Sequence, residues 1–488
     1  MRVCFYLTII FSILYSYELT NFNLSIDDEV IAFSPSSHFT EMGRWLHPLI
    51  RETLWEQPIL PAGGMILFGV MLSLSYFYIT KAFGVIFYGL FHFVLWAGFC
   101  LFPTWMAQLE FSANLIPVGI GVFTVSVASY LSARSDFLLQ RGNVGRIVVA
   151  SLLCAVAIGA YQSLIVCYLV LTLGWYAANL LKETGDERNA FSSYFGVVLI
   201  VLMLSLAIWF IFAKIFIELY GLEVSKYGES FIKIEVVIRD MMAALRIFAE
   251  ESYLLYCGFW KDFGWAGAIF VSALLVAIVI FSGLHKGYRK AISAIVLIVI
   301  LLLPTSICFV SGEFLPLRTF IAAPMSIGVV FLAAHEGTRQ GSHRLILLVA
   351  ALLVALQGLY INSVYQARSW AVQKHDLLLA ASINSEVMNL GMRNRRDLTE
   401  IDFHGFIKPK IVYPEIPTTA GGGSFFEWDG GKPYRMVRYL HMIGYNTYSM
   451  TTPEKQNQIR KYYAGMPAFP EKGYAKVVDN VVLVKLSD

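Results

Sequence analysis

Long uncharged apolar runs recur through this 488-residue chain and constrain it more than any other feature; residues 197–212 and 291–303 carry no charged side chain at all. In water such runs would leave more apolar surface than a soluble fold could cover. In lipid they satisfy their backbone polar groups internally as helices. Charged residues make up 15% of the chain, where a soluble domain has about a quarter. The net charge of +3, with no Lys/Arg run, excludes nucleic acid as a partner. Five of the six cysteines (Cys4, Cys100, Cys154, Cys167, Cys257 and Cys308) lie in or at the ends of apolar runs. None has metal or disulfide spacing, so they read as buried, inert thiols.

The hydropathy pattern predicts a mainly α, polytopic membrane protein with about eleven spans: 3–20, 62–80, 84–102, 113–132, 146–160, 162–181, 194–217, 264–283, 291–310, 318–334 and 345–361. The apolar stretch 146–181 is too long for one crossing and breaks at Gly159-Ala160-Tyr161-Gln162, so it is divided in two. No small-x-small cleavage site follows the opening segment, which is read as a retained helix. With the N-terminus cytoplasmic, inner loops carry Arg2, Lys81, Arg134, Lys182, Lys286 and Arg344, while outer loops carry Asp27, Asp28, Glu29, Glu52, Glu110 and Glu251. That bias places the C-terminus outside, on the far side of an inner membrane. The expected organisation is a membrane domain over 1–361, with outer loops 18–61 and 218–262, followed by a periplasmic α/β domain over 362–488.

Polar residues collect on the outer side. Met42, Trp45, Leu46, Leu49, Ile50 and Leu54 form an apolar stripe at helical spacing, as do Ile234, Val237, Ile238, Met241, Leu245 and Phe248, so both segments read as interfacial helices. The C-terminal region opens with a helical segment, 372–390, and closes with a hairpin turning at Asp479-Asn480. The segment SIDDEV, residues 25–30, sets Asp27, Asp28 and Glu29 side by side. Mutual repulsion raises at least one of their pKa values, which suits a general base; a solvated acidic cap is the other reading. Arg44, Arg51 and Arg318 are candidates to hold a lipid-linked phosphate, or else to reach for headgroups. His47, Trp45, Tyr161 and Gln162 are candidate polar and aromatic contacts. Phe425, Phe426, Glu427, Trp428 and Asp429 lie in a glycine-punctuated loop, GGGSFFEWDGG. Aromatic faces beside carboxylates suit sugars, and also suit an interfacial anchor or a domain core. Arg393, Arg395 and Arg396 are expected to face acidic headgroups or glycan. Glu427-x-Asp429 has faint metal-ligand spacing, but no His or further acid converges on it, so no metal or other cofactor is expected.

An N-terminal helix leading to an acidic motif in the first outer loop resembles the GT-C superfamily of membrane glycosyltransferases. The SIDDE and GRW segments, the Tyr161-Gln162 pair, the span number and the outer tail are similar to the serotype-converting O-antigen glucosyltransferases, the Gtr group, over essentially the whole chain. The resemblance implies undecaprenyl-phosphate-glucose as donor, a hydroxyl of lipid-linked O-antigen as acceptor, and inversion at the anomeric carbon. It also implies partnership with a polyprenyl-phosphate-glucose synthase and a flippase. The superfamily's catalytic Asp, which often precedes a Glu, maps onto Asp28, followed by Glu29; Asp27 departs from the simplest pattern. Arg318 is then the first choice for the donor phosphate and Arg44 the second, with the tail reading the acceptor. Competing readings are a lipid-linked sugar flippase or transporter, which needs a polar path through the membrane, and another periplasmic glycan enzyme, a polymerase or acyltransferase. An acyltransferase wants a His-activated nucleophile, and the nine histidines are scattered.

Overall fold

The computed structural model describes residues 2–57, 59–85, 88–135, 141–179, 187–223, 237, 239–258, 266–391, 399–415 and 422–488. Lys182, Ile234, Ile238, Arg393, Arg395, Arg396 and the first glycine of the glycine-rich loop, Gly421, lie outside the described residues. The chain forms two compact units: residues 1–21 with 35–362, and residues 22–34 with 363–488. The acidic segment, expected with the membrane domain, therefore belongs to the C-terminal unit.

The first unit is helical. Among the described residues six helices are long and apolar enough to cross a membrane: Pro61–Ala82, Ser112–Ala133, Asn143–Ala160, Tyr194–Leu219, Tyr288–Ser311 and Gly341–Asn389. The last continues into the second unit. Arg2–Leu14, Leu164–Asn179 and Ile269–Gly283 are apolar but shorter. The expected break after Gly159 is present, with one helix ending at Ala160 and the next starting at Leu164. The expected straight span 84–102 is not. Leu90–Cys100 and Pro103–Leu109 meet at 51°, because Pro103 lacks an N–H and its ring cannot continue the preceding helix. Small residues let the helices approach: a Cβ on Gly174 would fall 2.1 Å from Val329. Hydroxyls return their hydrogen bonds to the preceding turn, as Ser73 does to Gly69 O (2.8 Å) and Ser126 to Val122 O (2.8 Å), so they cost little in an apolar interior. The outward face of Glu187–Leu219 exposes Met203 and Phe210, which a lipid surround accommodates and water does not.

Of the two expected interfacial helices, Leu46–Thr53 forms, with Leu46 and Ile50 buried and Leu49 and Leu54 exposed. The described part of the other is Met241–Tyr253, capped by Asp240, whose carboxylate accepts from Ala243 N–H (2.9 Å). Its Met241, Met242 and Leu245 are exposed.

The second unit is a small α/β domain. Strands β1 (Thr399–His404), β2 (Tyr448–Met450), β3 (Ala475–Val478) and β4 (Val481–Lys485) form one sheet in the order β2-β1-β4-β3. β1 runs parallel to both its neighbours, and β3 and β4 are antiparallel. The β3–β4 turn is the expected Asp479-Asn480, both at positive φ, as a two-residue hairpin requires. Every residue of β4 is buried, consistent with its central place. Buried Asp402 on β1 accepts from Tyr463 Oη and Gln456 Nε2 (both 2.9 Å), which fastens the later helical turns to the sheet.

Candidate active site

The acidic segment folds as a tight turn followed by one helical turn, Asp28–Ile31. Asp27 takes a left-handed backbone conformation (φ 83°), uncommon for a residue with a side chain and a recurrent mark of functional sites. The three carboxylates divide their tasks. Asp28, 1% exposed, accepts the Ser25 N–H at Oδ2 (3.0 Å) and closes the turn. Asp27 and Glu29 both meet a residue some 400 positions later, Arg435. Its Nη1 and Nη2 each lie 3.2 Å from Asp27 Oδ1, and Nη1 donates to Glu29 Oε1 as well.

Arg435 sits in the first turn of the amphipathic helix Pro433–Met442, which Pro433 opens. Met436, Tyr439 and Leu440 bury that helix in the domain. A cation in a first helical turn opposes the helix dipole, and three carboxylates offset this. The third is Asp429, whose Oδ2 receives Arg435 Nε–H at 2.8 Å. Asp429, Gly430 and Gly431 are all left-handed (φ 56°, 73° and 76°), a run that two glycines make accessible and that turns the Asp429 carboxylate back onto the helix. The carboxylates around it hold the Arg435 pKa well above its ordinary value, against burial.

Glu29 is the most unusual member. It is fully buried. Burial raises its pKa, against the opposing pull of Arg435. One oxygen serves Arg435; the other, Oε2, is buried with no hydrogen-bond partner among the described residues. Buried polar atoms are nearly always paired, so an orphaned carboxylate oxygen of raised basicity marks a place where a donor is missing.

The glycine-rich loop does not present its phenylalanines to a substrate. Asp376, 1% exposed, accepts the Ser424 hydroxyl (2.7 Å) and the Phe425 N–H (2.8 Å), clamping the loop to the helix Gly341–Asn389. Phe425 then stacks on Tyr439 (4.3 Å), and Phe426 packs edge-on against Tyr439 and Phe403. Phe426 is core, with no exposed surface. Trp428 is half-buried. Glu427 pairs with Lys408 (3.4 Å), so Glu427 and Asp429 each face a cation.

The remaining expected residues lie in the first unit, where five of them meet. Arg44 Nε–H donates to Gln162 Oε1 (3.2 Å), and its guanidinium lies on the Tyr161 ring (4.3 Å). The Gln162 amide donates to Met42 O. Trp45 packs on Phe212 and over Gly159, where a Cβ would fall 2.3 Å from the indole. His47 donates to Ala160 O (3.1 Å); burial, helped by Arg44, lowers its pKa to about 3, so the imidazole is neutral. The GRW segment thus docks on the break between two helices, where His47 serves the Ala160 carbonyl at the end of the first. Arg51 donates to Pro35 O (3.1 Å), and Arg318 stacks on Phe111 (4.2 Å). Neither contact involves the Arg44 group.

The family model for glucosyl transferase GtrII matches residues 16–334, more than half the chain. The chain belongs to the GtrII glucosyl transferase family. It is thus a membrane-embedded glycosyltransferase by family, with the acidic triplet, the GRW segment, Tyr161-Gln162 and Arg318 inside the GtrII match and Asp429 and Arg435 beyond it. No curated protein and no solved structure matches the chain. Arg435 escaped the sequence reading. Its signal was the pair Arg435 and Arg438, one turn apart on an amphipathic helix that starts just after the acidic glycine loop.

Proposed function

We propose that this GtrII-family chain transfers glucose from undecaprenyl-phosphate-glucose to a sugar hydroxyl of lipid-linked O-antigen at the periplasmic face of the inner membrane, inverting the anomeric centre. The observation that carries the reading is the orphaned Glu29 Oε2 on a carboxylate already oriented by Arg435. Glu29 is the proposed general base. Its Oε2 takes the proton from the acceptor hydroxyl as that oxygen bonds to the anomeric carbon. The bond from that carbon to the phosphate oxygen breaks, its electrons leave with undecaprenyl phosphate, and no strong acid is required. A base raised by burial is better matched to a hydroxyl than an ordinary carboxylate. Oε2 is closed to solvent here, so the acceptor reaches it only when its cover moves. Asp27 and Asp429 hold Arg435 and Asp28 holds the turn, which are positioning roles. Arg318, with Arg44 second and Arg51 third, is proposed to bind the donor phosphate; the planar guanidinium fork matches phosphate oxygens by paired hydrogen bonds.

One observation favours a second reading, passage of a lipid-linked sugar. The bent pair Leu90–Cys100 and Pro103–Leu109 carries Thr104 and Gln108, both fully buried, whose side-chain polar atoms have no hydrogen-bond partner among the described residues. Broken spans with buried polar groups line transport paths.

Glycan analysis of cells with and without this chain separates the two readings. A new hexose branch that depends on both this chain and a polyprenyl-phosphate-glucose synthase supports transfer. Unbranched glycan, with lipid-linked sugar accumulating on the inner leaflet when the chain is deleted, supports passage.

A further inference from the structure

A second polar cluster lies in the first unit, apart from every residue discussed above. His92 stands in the first turn of Leu90–Cys100, and His335 and Glu336 stand at the end of Ala322–Gly337. His92 Nε2 is 3.4 Å from Glu336 Oε1, and His335 Nδ1 is 2.9 Å from the same oxygen. One donor atom from each of the three residues falls within 4.8 Å of the others. His92 is 3% exposed. The Phe91 ring lies flat on His335 at 3.9 Å, which fixes the imidazole plane. The three side chains line a cleft of about 680 Å³ with Gly84, Gly89 and Arg344.

We propose that His92, His335 and Glu336 form a three-ligand site for Zn²⁺ or a similar divalent transition metal, with the fourth coordination position open to the cleft. Two imidazoles and one carboxylate are the donor set of zinc sites that keep an exchangeable position. Ligand atoms about 2.1 Å from a tetrahedral ion stand about 3.4 Å apart. The His92–Glu336 separation has that value already. The His335–Glu336 pair, now closed on a hydrogen bond, has to open by about half an ångström as the ion displaces the proton, which is the usual exchange on metal binding. Neighbours in sequence on a helix do not face one another. Here His335 and Glu336 converge at the helix end, and His92 meets them from an element far away in the chain. The nitrogen donors select against Mg²⁺ and Ca²⁺, which take oxygen ligands. Arg344 is the unfavourable neighbour; its Nε–H is engaged by Thr338 O (3.0 Å). The ion would tie the start of the bent span to the end of Ala322–Gly337. The charge-derived topology puts both at the cytoplasmic boundary, opposite the face proposed for transfer, so this site is independent of that reading.

The test uses the full chain purified in detergent, stripped with chelator and dialysed against micromolar Zn²⁺, with bound metal counted by mass spectrometry. A parallel Co²⁺ titration reads the intense visible bands of tetrahedral coordination. The expected result is a single equivalent of Zn²⁺ and a tetrahedral Co²⁺ spectrum, both lost in Glu336→Gln and in His335→Gln. Those variants should keep the elution volume and helical circular dichroism of the parent. Glu336→Gln is nearly isosteric, so it serves if His335→Gln misfolds. Failure of the parent to hold zinc, or retention of the full equivalent by a folded variant, overturns the site.

Discussion

Arg435 and Arg44 head two polar clusters of opposite construction. Arg435 is buried and met by three carboxylates, Asp27, Glu29 and Asp429. Arg44 meets the Gln162 amide and lies on the Tyr161 ring. The first arrangement confines negative charge and leaves one carboxylate oxygen basic and unsatisfied. The second shapes a cationic surface with hydrogen bonds that hold its place. A glycosyl transfer from a phosphate donor needs both kinds of chemistry, a base for the acceptor and a cation for the departing phosphate. The contrast also predicts how each cluster fails. Removing a charge from the first leaves others buried without compensation; changing Gly159 or Gln162 in the second disturbs packing and hydrogen bonds and leaves no carboxylate stranded.

Truncation of Arg435 to Ala should therefore be the most damaging change. It strands Glu29 in the interior and should cost about 3–5 kcal/mol, read as a lower unfolding midpoint and faster proteolysis of residues 22–34. Arg435→Lys keeps the charge but not the fork, and should fall between. An unchanged midpoint in Arg435→Ala would break the contrast. In the other cluster, Gly159→Ala pushes a methyl into the Trp45 indole and should cost about 1–3 kcal/mol by overpacking. Gln162→Met removes one neutral hydrogen bond and one donated by the charged Arg44 guanidinium and should cost about 2 kcal/mol; thermal melts in detergent compare the pair. The smallest effect is on pH dependence. Glu29 has a raised pKa in the folded chain, so the folded state binds its proton more tightly than the unfolded state does. Its contribution to stability is fully present below the unfolded value and is lost as pH rises through the raised one. Glu29→Gln should flatten that decline. Parallel unfolding curves for parent and variant across the acidic range would contradict the shift.

The sequence disclosed most of the helices because hydropathy is local: among the described residues six are long and apolar enough to cross a membrane, three expected spans are shorter apolar helices, and the break at Tyr161 was visible as a polar interruption. Pro103 was equally visible and marks the kink that the straight-span reading passed over. The β3–β4 hairpin was legible from Asp479-Asn480, since few residues accept positive φ. The acidic triplet stood out by composition, but the division of roles within it did not, because Ser25, Arg435 and the missing partner of Glu29 Oε2 are features of packing. Phe425 and Phe426 misled for a related reason. Glycines on either side suggested an open loop, whereas buried Asp376, an unremarkable acid on a helix in sequence, clamps that loop and turns both rings inward.

The most direct test compares Glu29→Gln, Asp28→Asn and Asp27→Asn for transfer of labelled glucose from undecaprenyl-phosphate-glucose to lipid-linked acceptor in membranes of matched expression. Glu29→Gln should lower turnover by about 10²–10⁴-fold with donor binding retained, while Asp27→Asn and Asp28→Asn should lose less. Turnover near the parent level in Glu29→Gln, with activity abolished in Asp28→Asn, would move the base to Asp28 and contradict the assignment.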